Sequence, residues 1–174
     1  MKKSPPLSER LDQIIHILEL QPHPEGGFFR ENYRSNGMIQ SESLDSSYSG
    51  ERNYATSIYF LLTTETFSAF HRIKQDEIWH FYDGSPIDLH IISEEGNYTK
   101  TRIGRDIIHG ETPQFVVPGG SWFGATVVRK DDFTLLGCTV SPGFDFRDFE
   151  LGMRDNLIGK FPQHTELITQ LTRK

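Results

Sequence analysis

The stretch His71-Arg72-Ile73-Lys74-Gln75-Asp76-Glu77-Ile78-Trp79-His80-Phe81-Tyr82-Asp83-Gly84 indicates the fold class of this chain more strongly than any other segment. Polar and apolar residues alternate along it, and it ends at an Asp-Gly pair, which is typical of tight turns between strands. We therefore expect a pair of strands that lines a pocket. The stretch also holds two histidines and a glutamate, so candidate chemistry lies in the same place.

The same pattern continues on both sides of this stretch. A helix is expected over 8–20, where apolar residues recur every three or four positions, and a shorter one over 165–172. Residues 35–50, rich in Ser and Gly, are expected to form a mobile surface loop. Short strands at regular spacing favour a β-sandwich or barrel. These strands are expected at 28–33, 54–63, 68–73, 77–82, 87–93, 98–103, 114–117, 122–128 and 133–140.

Size and composition narrow the function classes. A chain of 174 residues with 36% hydrophobic residues fits one globular domain, here taken as 1–174. The formal net charge of −6 argues against nucleic acid as a partner. No apolar run is long enough for a membrane span, and the first residues lack the apolar stretch of a signal peptide, so we expect a cytoplasmic protein. The single cysteine, Cys138, lies in a strand-like run and is expected to be a buried apolar residue.

Alternation along the segment from Glu77 leaves one question open. Glu77 and Trp79 share one face of the strand, while His80 and Tyr82 share the other. If Glu77 points into the barrel, His80 faces a second layer or a subunit contact, unless a β-bulge turns it inward. Periodicity alone does not decide which face is inside.

Two imidazoles and a carboxylate lie close together in this segment. His71, Glu77 and His80 have the donor types of a facial triad that binds ferrous iron or another divalent metal. The same groups could instead form a metal-free acid–base set. Both alternatives stay open at this point, and no cofactor is assigned.

Two further segments could contribute to a ligand site. In 21–31, flanking prolines hold His23 in an extended or turn conformation, and Arg30 could bind a carboxylate or phosphate. A purely structural role for His23 and a surface ion pair for Arg30 explain the same residues. In 113–124 a strand breaks at Pro-Gly-Gly, and Trp122 and Phe123 could then wall an apolar pocket with Gln114 as its polar group. Core packing explains the two aromatics equally well.

These motifs resemble those of a known family. His71-x-Ile73-x3-Glu77-x6-Gly84 is similar to the first signature of the cupin superfamily, in which two histidines and a glutamate bind a metal. Pro118-x-Gly120-x2-Phe123 is similar to the second signature, which normally ends in a third histidine. The segments 21–30, 68–84, 113–124 and 137–151 resemble an uncharacterised cupin subfamily, formerly a domain of unknown function. The resemblance implies a jelly-roll barrel over about 26–151, commonly dimeric, with its ligand cavity inside.

The chain departs from the metal-binding cupin pattern at two positions. Ile73 stands where the second histidine is expected, and Phe123 stands where the third is expected. Only His71 and Glu77 remain, which is a poor transition-metal site unless His80 or another group completes it. The superfamily also contains metal-free epimerases of the rhamnose pathway, which use a histidine and a tyrosine. By this resemblance, the candidates for such catalytic roles in this chain are His71, His80, Glu77 and Tyr82.

Three functions are therefore considered. The first is a metal-independent isomerase or epimerase for a polar metabolite such as a sugar derivative. In it, His71 or His80 is the base, Glu77 orients that base, and Arg30 or Arg72 holds an anionic group. The second is a non-catalytic small-molecule binder walled by Trp79, Trp122 and Phe123. The third is a metal-dependent oxygenase with His71, Glu77 and His80 as ligands. A homodimer is also expected, with the aromatic-charged stretch 144–151 as an edge strand or clasp between subunits.

Overall fold

Two antiparallel β-sheets dominate the computed structural model, which describes residues 7–173. Their strands, with one small extra pair, are β1 Gln21–Pro22, β2 Phe28–Arg34, β3 Met38–Ile39, β4 Arg52–Asn53, β5 Thr56–Thr63, β6 Ser68–Arg72, β7 Glu77–Gly84, β8 Ile87–Ile92, β9 Tyr98–Ile103, β10 Gln114–Val117, β11 Trp122–Val127, β12 Phe133–Val140 and β13 Glu150–Leu151. Three helices accompany them: α1 Leu7–Ile17, α2 Arg154–Lys160 and α3 Thr165–Gln170.

The two large sheets face each other across the main core. The first has the order β1-β2-β5-β12-β7-β10, and the second has the order β13-β6-β11-β8-β9. Buried apolar residues from both sheets form one cluster between them, including Phe60, Trp79, Leu89 and Phe123. A second apolar cluster lies where α2 and α3 cover the second sheet. A third lies where α1 covers the first sheet.

The predicted all-β fold with an N-terminal helix and a short C-terminal helix is confirmed. The longer predicted strands appear within one or two residues of their expected bounds, because inward residues there alternate with outward ones. Helix α2 was not expected, and α1 ends at Ile17 rather than at residue 20. Its last turn is closed by Leu20 N–H bonding to Ile15 O at 2.9 Å, with Glu19 at a φ of 51°. The two large sheets, apart from β1, lie within 26–151, whereas the domain prediction of 1–174 extends beyond the described residues at both ends.

Residues 35–50 contain regular structure that the loop prediction did not include, namely β3 and a 3₁₀ turn at Ser41–Ser43. β3 pairs with β4, and Arg52 is buried at 2% exposure. Its guanidinium bonds to Asp148 at 2.7 and 2.8 Å and to three carbonyl oxygens of residues 49–51. This ion pair ties the segment to the chain between β12 and β13, which also contributes to the pocket described below. Among the described residues, no helix is long and apolar enough to cross a membrane.

Candidate functional site

A cavity of about 310 Å³ opens between the first sheet and the segment that connects β12 to β13. The volume is at the lower end for small-molecule pockets. Buried ionisable side chains occupy its inner part, whereas the rim includes Phe146, which is 55% exposed. The lining residues are His23, Glu25, Phe29, Glu31, Arg34, Thr56, Ile58, Phe60, His71, Ile73, Glu77, Cys138, Val140, Phe144, Asp145, Phe146 and Phe149.

A tight turn between β1 and β2 places Glu25 beneath β6. His23 N–H bonds to Gly27 O at 3.0 Å, and Gly26 N–H bonds back to His23 O at 3.0 Å. Gly26 has a φ of 122°, and a Cβ atom there would lie 2.2 Å from the carbonyl oxygen of Phe67. Only glycine therefore lets this turn approach the neighbouring backbone so closely. The turn fixes the Glu25 carboxyl at the base of the pocket.

Glu25 and His71 form a buried ion pair. His71 Nε2–H donates to Glu25 Oε2 at 3.0 Å, and His71 Nδ1–H donates to the Ala69 carbonyl at 2.7 Å. The Ser68 hydroxyl donates to Glu25 Oε1 at 2.8 Å. The Ala69 carbonyl only accepts, and so does Glu25 in its ionised form, so we assign a proton to both ring nitrogens and a positive charge to His71. Burial opposes both charges, but the pairing outweighs it: Glu25 raises the pKa of His71, and His71 lowers the pKa of Glu25.

Glu77 is the first residue of β7, and its carboxyl lies in the pocket. Of the two strand faces that alternation left open, the face with Glu77 is therefore the inner one. Glu77 is only 8% exposed, and this burial raises the pKa of its carboxyl group from 4.5 to about 7. The His71 charge opposes this shift, as do the Cys138 thiol and the Trp79 indole N–H. By geometry, the indole nitrogen of Trp79 has no hydrogen-bond partner among the described residues. Glu77 thus changes charge near neutral pH.

Cys138 lies opposite Trp79 on β12 and faces the same interior. Cys138 is only 3% exposed. Burial, together with the negative charge of the nearby Glu77 carboxyl, raises the pKa of its thiol well above the ordinary value. The thiol therefore stays protonated and donates toward Glu77. This placement agrees with the buried position predicted for it.

The structure separates His80 and Tyr82 from this pocket. Both project from the outer face of β7, and His80 Nε2 lies 3.3 Å from the Thr139 hydroxyl. The ladder with β12 does contain a bulge, but it falls at Tyr82, after His80. It therefore does not turn His80 toward Glu77, and Tyr82 is 50% exposed. The predicted catalytic and ligand roles of these two residues do not fit their positions.

The predicted polar ligand contacts also lie elsewhere. Arg30 pairs with Glu19 at 2.7 Å on the outside of the first sheet, next to α1. Arg72 pairs with Glu150 at 2.6 Å and lies over the Trp122 ring at 4.8 Å. Gln114 is exposed on the edge strand β10, opposite His80. None of these three side chains lines the main pocket.

The predicted aromatic walls are core residues. Trp79 and Phe123 are each 1% exposed and belong to the main cluster between the sheets. Trp122 packs into the second cluster, under the C-terminal helices. Phe123 still touches the site, because its ring centroid lies 4.1 Å from that of His71. The walls of the pocket are other aromatics, chiefly Phe29, Phe60, Phe144, Phe146 and Phe149.

Glu25 and the 144–149 rim are site residues that sequence reasoning missed, and His23 was left undecided. The Pro-x-Pro-Glu-Gly-Gly turn was the available signal, since its glycines indicated close backbone approach. The partner of Glu25 is far away along the chain, so spacing could not reveal the pair. The 144–151 stretch forms a 3₁₀ turn, Phe146–Asp148, and the short strand β13 at the pocket rim.

A basic residue does reach the rim, but its donors are all in use. Arg34 bonds to both Glu31 oxygens at 2.6 and 2.8 Å, to Asn53 Oδ1 at 2.8 Å, and twice to the Phe144 carbonyl at 3.2 Å. These contacts use the five N–H groups of the guanidinium. Asp145 on the same rim is paired with Arg147 at 2.7 Å. Among the described residues, the pocket therefore offers no free cation to an anionic ligand.

The donor set does not suit the metal that the cupin resemblance implies. Ile73 and Phe123 replace two ligands, and both nitrogens of His71 already face other partners, the Ala69 carbonyl and the Glu25 carboxyl. His80 is on the other face of its strand. Within residues 7–173, no group of three His, Cys, Asp or Glu side chains is arranged to hold a metal ion. The predicted His71–Glu77–His80 metal site is therefore not formed.

Comparison with known proteins identifies the family. The family model described as "Cupin superfamily (DUF985)" matches residues 12–152. This chain is a member of that cupin family. It is 33% identical over 153 residues to the uncharacterized protein YML079W from Saccharomyces cerevisiae, covering 83% of this chain and 75% of that protein.

Solved structures support the same assignment. Protein SO0799 from Shewanella oneidensis is 43% identical, with a TM-score of 0.83 over 93% of this chain and 96% of the other. A variant of oxalate decarboxylase from Bacillus subtilis shares the fold at 15% identity, with a TM-score of 0.53 over 88% of this chain and 38% of the enzyme. The two facing sheets are thus a cupin barrel, and the pocket lies inside it. The cupin fold by itself does not specify a reaction.

Proposed function

We propose that this cupin is a metal-independent enzyme of the isomerase or epimerase type, which moves a proton on a small metabolite. The observation that carries the proposal is the Glu77 carboxyl, buried in the pocket and titrating near neutrality. A carboxylate with a pKa close to the working pH suits a general base. Such a base can remove a proton from a carbon next to a carbonyl group and return it at a neighbouring position or on the other face.

The roles of histidine and glutamate are exchanged relative to the sequence-based hypothesis. His71 cannot accept a proton while both of its nitrogens are protonated, so it is not the base. Its fixed charge, held by Glu25, instead favours the ionised form of Glu77 and negative charge that develops on a substrate nearby. Glu77 takes the part of the base. Paired groups whose pKa values are driven apart are typical of acid–base sites.

The lining favours an uncharged ligand with an apolar body. Aromatic and aliphatic side chains form most of the wall, and the ionisable groups are concentrated at its inner end. Arg34 and Arg147 are already paired, and Arg30 and Arg72 lie outside the pocket. A phosphorylated or carboxylated substrate would thus lose hydration without gaining an ion pair. The expected sugar derivative is replaced by a neutral carbonyl compound.

Deuterium exchange tests this proposal with a panel of simple carbonyl compounds. Small neutral aldehydes and ketones with aryl or alkyl bodies are incubated with the protein in D₂O, and proton NMR follows the C–H next to the carbonyl. The wild-type protein should accelerate exchange for at least one compound. Glu77→Gln should reduce that rate by about 10²–10⁴-fold, because the amide cannot act as a base.

A matched control keeps the experiment specific. Glu65→Gln makes the same chemical change at an exposed carboxylate outside the pocket and should leave the exchange rate unchanged. If Glu77→Gln exchanges as fast as the wild-type protein, Glu77 is not the base. If the protein accelerates no exchange across the panel, the enzymatic proposal is wrong.

The same pocket also supports a second candidate function, a non-catalytic small-molecule binder. The observation in its favour is the apolar wall, since the rings of Phe144, Phe146 and Phe149 pack edge-to-face at 5.1–6.4 Å around the opening. A binder should be stabilised thermally by panel compounds that show no deuterium exchange. Exchange in every stabilising compound would contradict this second function.

A further inference from the structure

His23 is a buried pocket residue that the proposed mechanism does not yet use. Its side chain is 7% exposed, and the turn between β1 and β2 holds its backbone. Its ring meets that of Phe29 edge-on at 4.5 Å, and it lies 6.0 Å from Phe60 and 6.2 Å from Phe149 in the same manner. The imidazole is thus fixed in position beside the ligand space.

Hydrogen bonding determines which nitrogen of His23 carries the proton. The backbone N–H of Glu25 donates to His23 Nδ1 at 3.3 Å, so Nδ1 is an acceptor. In a neutral imidazole the proton is then on Nε2. Among residues 7–173, nothing forms a hydrogen bond with Nε2. The ring therefore keeps one unused N–H donor in the pocket.

The surroundings keep this imidazole neutral. Burial lowers the pKa of His23, and the nearby positive charge of His71 acts in the same direction. Glu25 opposes them, with Oε2 lying 3.5 Å from Nδ1, but this oxygen already accepts the His71 proton. Glu77 is the other ionisable side chain at the inner end of the pocket. The two histidines differ because Nδ1 of His23 accepts from a backbone amide, whereas both nitrogens of His71 face acceptors.

We propose that His23 is a second catalytic residue, whose Nε2–H donates a hydrogen bond to the carbonyl oxygen of an uncharged substrate. The inference rests on the proposed function of Glu77 as base. Glu77 takes the proton from the adjacent carbon, and the C–H electron pair becomes the new C=C bond. The carbonyl π pair moves to oxygen, where the imidazole N–H stabilises the resulting enolate. Return of the proton from Glu77 to carbon completes the reaction, so no oxidant or reductant is needed.

A neutral imidazole is well suited to this step. A donor fixed before the reaction stabilises charge that develops on oxygen without having to reorganise. Neutral imidazoles on other folds polarise substrate carbonyl groups in the same way, opposite a carboxylate base. The substrate class follows from the geometry: a carbonyl compound with an acidic C–H, an apolar body and no negative charge.

The tautomer is tested first, by two-bond ¹H–¹⁵N NMR of the histidine side chains at neutral pH. Comparison with His23→Phe assigns the His23 signals. The expected pattern is a neutral ring protonated on Nε2, with His71 doubly protonated in the same spectrum. An Nδ1–H tautomer or an imidazolium at His23 would overturn the inference.

Binding of an enolate mimic is tested next, in the Glu77→Gln background. The amide leaves residue 77 uncharged, as it is after proton transfer. The probes are 4-nitrophenolate, whose oxygen imitates an enolate, and 4-nitroanisole, which has the same ring without that oxyanion. Adding His23→Phe should weaken nitrophenolate binding by about tenfold to a hundredfold. Nitroanisole should bind equally well, because Phe preserves the apolar ring.

Controls separate a specific donor from a general disturbance of the pocket. Adding His109→Phe, an exposed position outside the pocket, should change neither affinity. An equal loss for both probes, no loss for nitrophenolate, or no nitrophenolate binding to the Glu77→Gln protein would each contradict the role of His23.

The experiments distinguish failure of the two proposals. Specific nitrophenolate binding through His23 without deuterium exchange by the wild-type protein would refute the enzymatic function and leave His23 as a ligand-binding donor only. Exchange that requires Glu77 but proceeds at the wild-type rate in His23→Phe would refute only the role of His23.

Discussion

Glu77 lies at the start of β7, and its position explains both its charge behaviour and the success of the sequence pattern. Alternation along 77–82 divided the residues between two strand faces, one of which had to point inward. Trp79 is buried and shares its face with Glu77, so this face is the inner one. Alternation could not show the buried ion pair between Glu25 and His71 that lies beside Glu77. Glu25 and His71 come from separate segments, and a contact of this kind depends on tertiary packing.

Stability should depend on pH through this residue. The unfolded chain ionises Glu77 near its ordinary pKa of 4.5, but the folded protein ionises it only near about 7. The contribution of Glu77 is therefore fully present below about pH 4.5 and is lost as pH rises through about 7. The full difference corresponds to about 3 kcal/mol.

Urea unfolding at several pH values checks this expectation. Relative to the wild-type protein, Glu77→Gln should gain about 2.5 kcal/mol in free energy of unfolding between about pH 5 and pH 8. The raised pKa of His71 also makes the native state lose stability above neutral pH, and this loss is smaller in Glu77→Gln because the Glu77 charge contributes to that shift. Parallel curves for the two proteins would show that Glu77 has an ordinary pKa in the folded state.

The turn between β1 and β2 is the element on which the site depends most. Its sequence predicted a close backbone approach, and the structure shows what is approached: the Phe67 carbonyl lies where a side chain at Gly26 would begin. The partner strands could not be predicted from the turn itself. The outcome for the 144–151 stretch is similar, since its alternating aromatics suggested an edge strand, whereas its phenylalanines pack around the pocket opening.

Gly26→Ala should therefore cost more than about 2 kcal/mol in free energy of unfolding, because a side chain clashes there and φ is unfavourable. Gly159→Ala is the matched control. Gly159 lies in α2, and a Cβ there would meet nothing within 4 Å, so alanine should stabilise the protein by up to about 1 kcal/mol. Chemical denaturation of the two variants gives the comparison. Equal effects would mean that the turn tolerates a side chain and does not hold Glu25 as described.

At the scale of the whole molecule, the strand pattern and the motifs together predicted the double-sheet fold. Local alternation and turn residues predicted a sandwich or barrel, and the resemblance of the motifs to the cupin signatures narrowed this to a jelly-roll barrel. Polar contacts with a ligand were predicted less well, because Arg30 and Arg72 form ion pairs outside the pocket. Sequence alone does not show whether a charged side chain is already paired, and that pairing is what determines the ligand charge the pocket can accept.

We propose that the chain forms a homodimer through the outer face of the first sheet. Tyr82 and Val116 are 50% and 44% exposed there, beyond the region that α1 covers. This face is a better candidate than the 144–151 stretch, which forms the pocket rim. Light scattering at micromolar concentration should give twice the chain mass of 20.0 kDa. A Tyr82→Lys, Val116→Lys double variant should give the single-chain mass, whereas a monomeric wild-type protein would contradict the proposal.

The pH profile of deuterium exchange tests the central claim most directly, namely that Glu77 is the base. With a compound that the wild-type protein exchanges, the rate should rise with pH to a plateau, with a midpoint near the Glu77 pKa of about 7. Glu77→Gln should show a low rate at every pH. A midpoint near 4.5, the ordinary value for glutamate, or a wild-type rate in Glu77→Gln would contradict the claim.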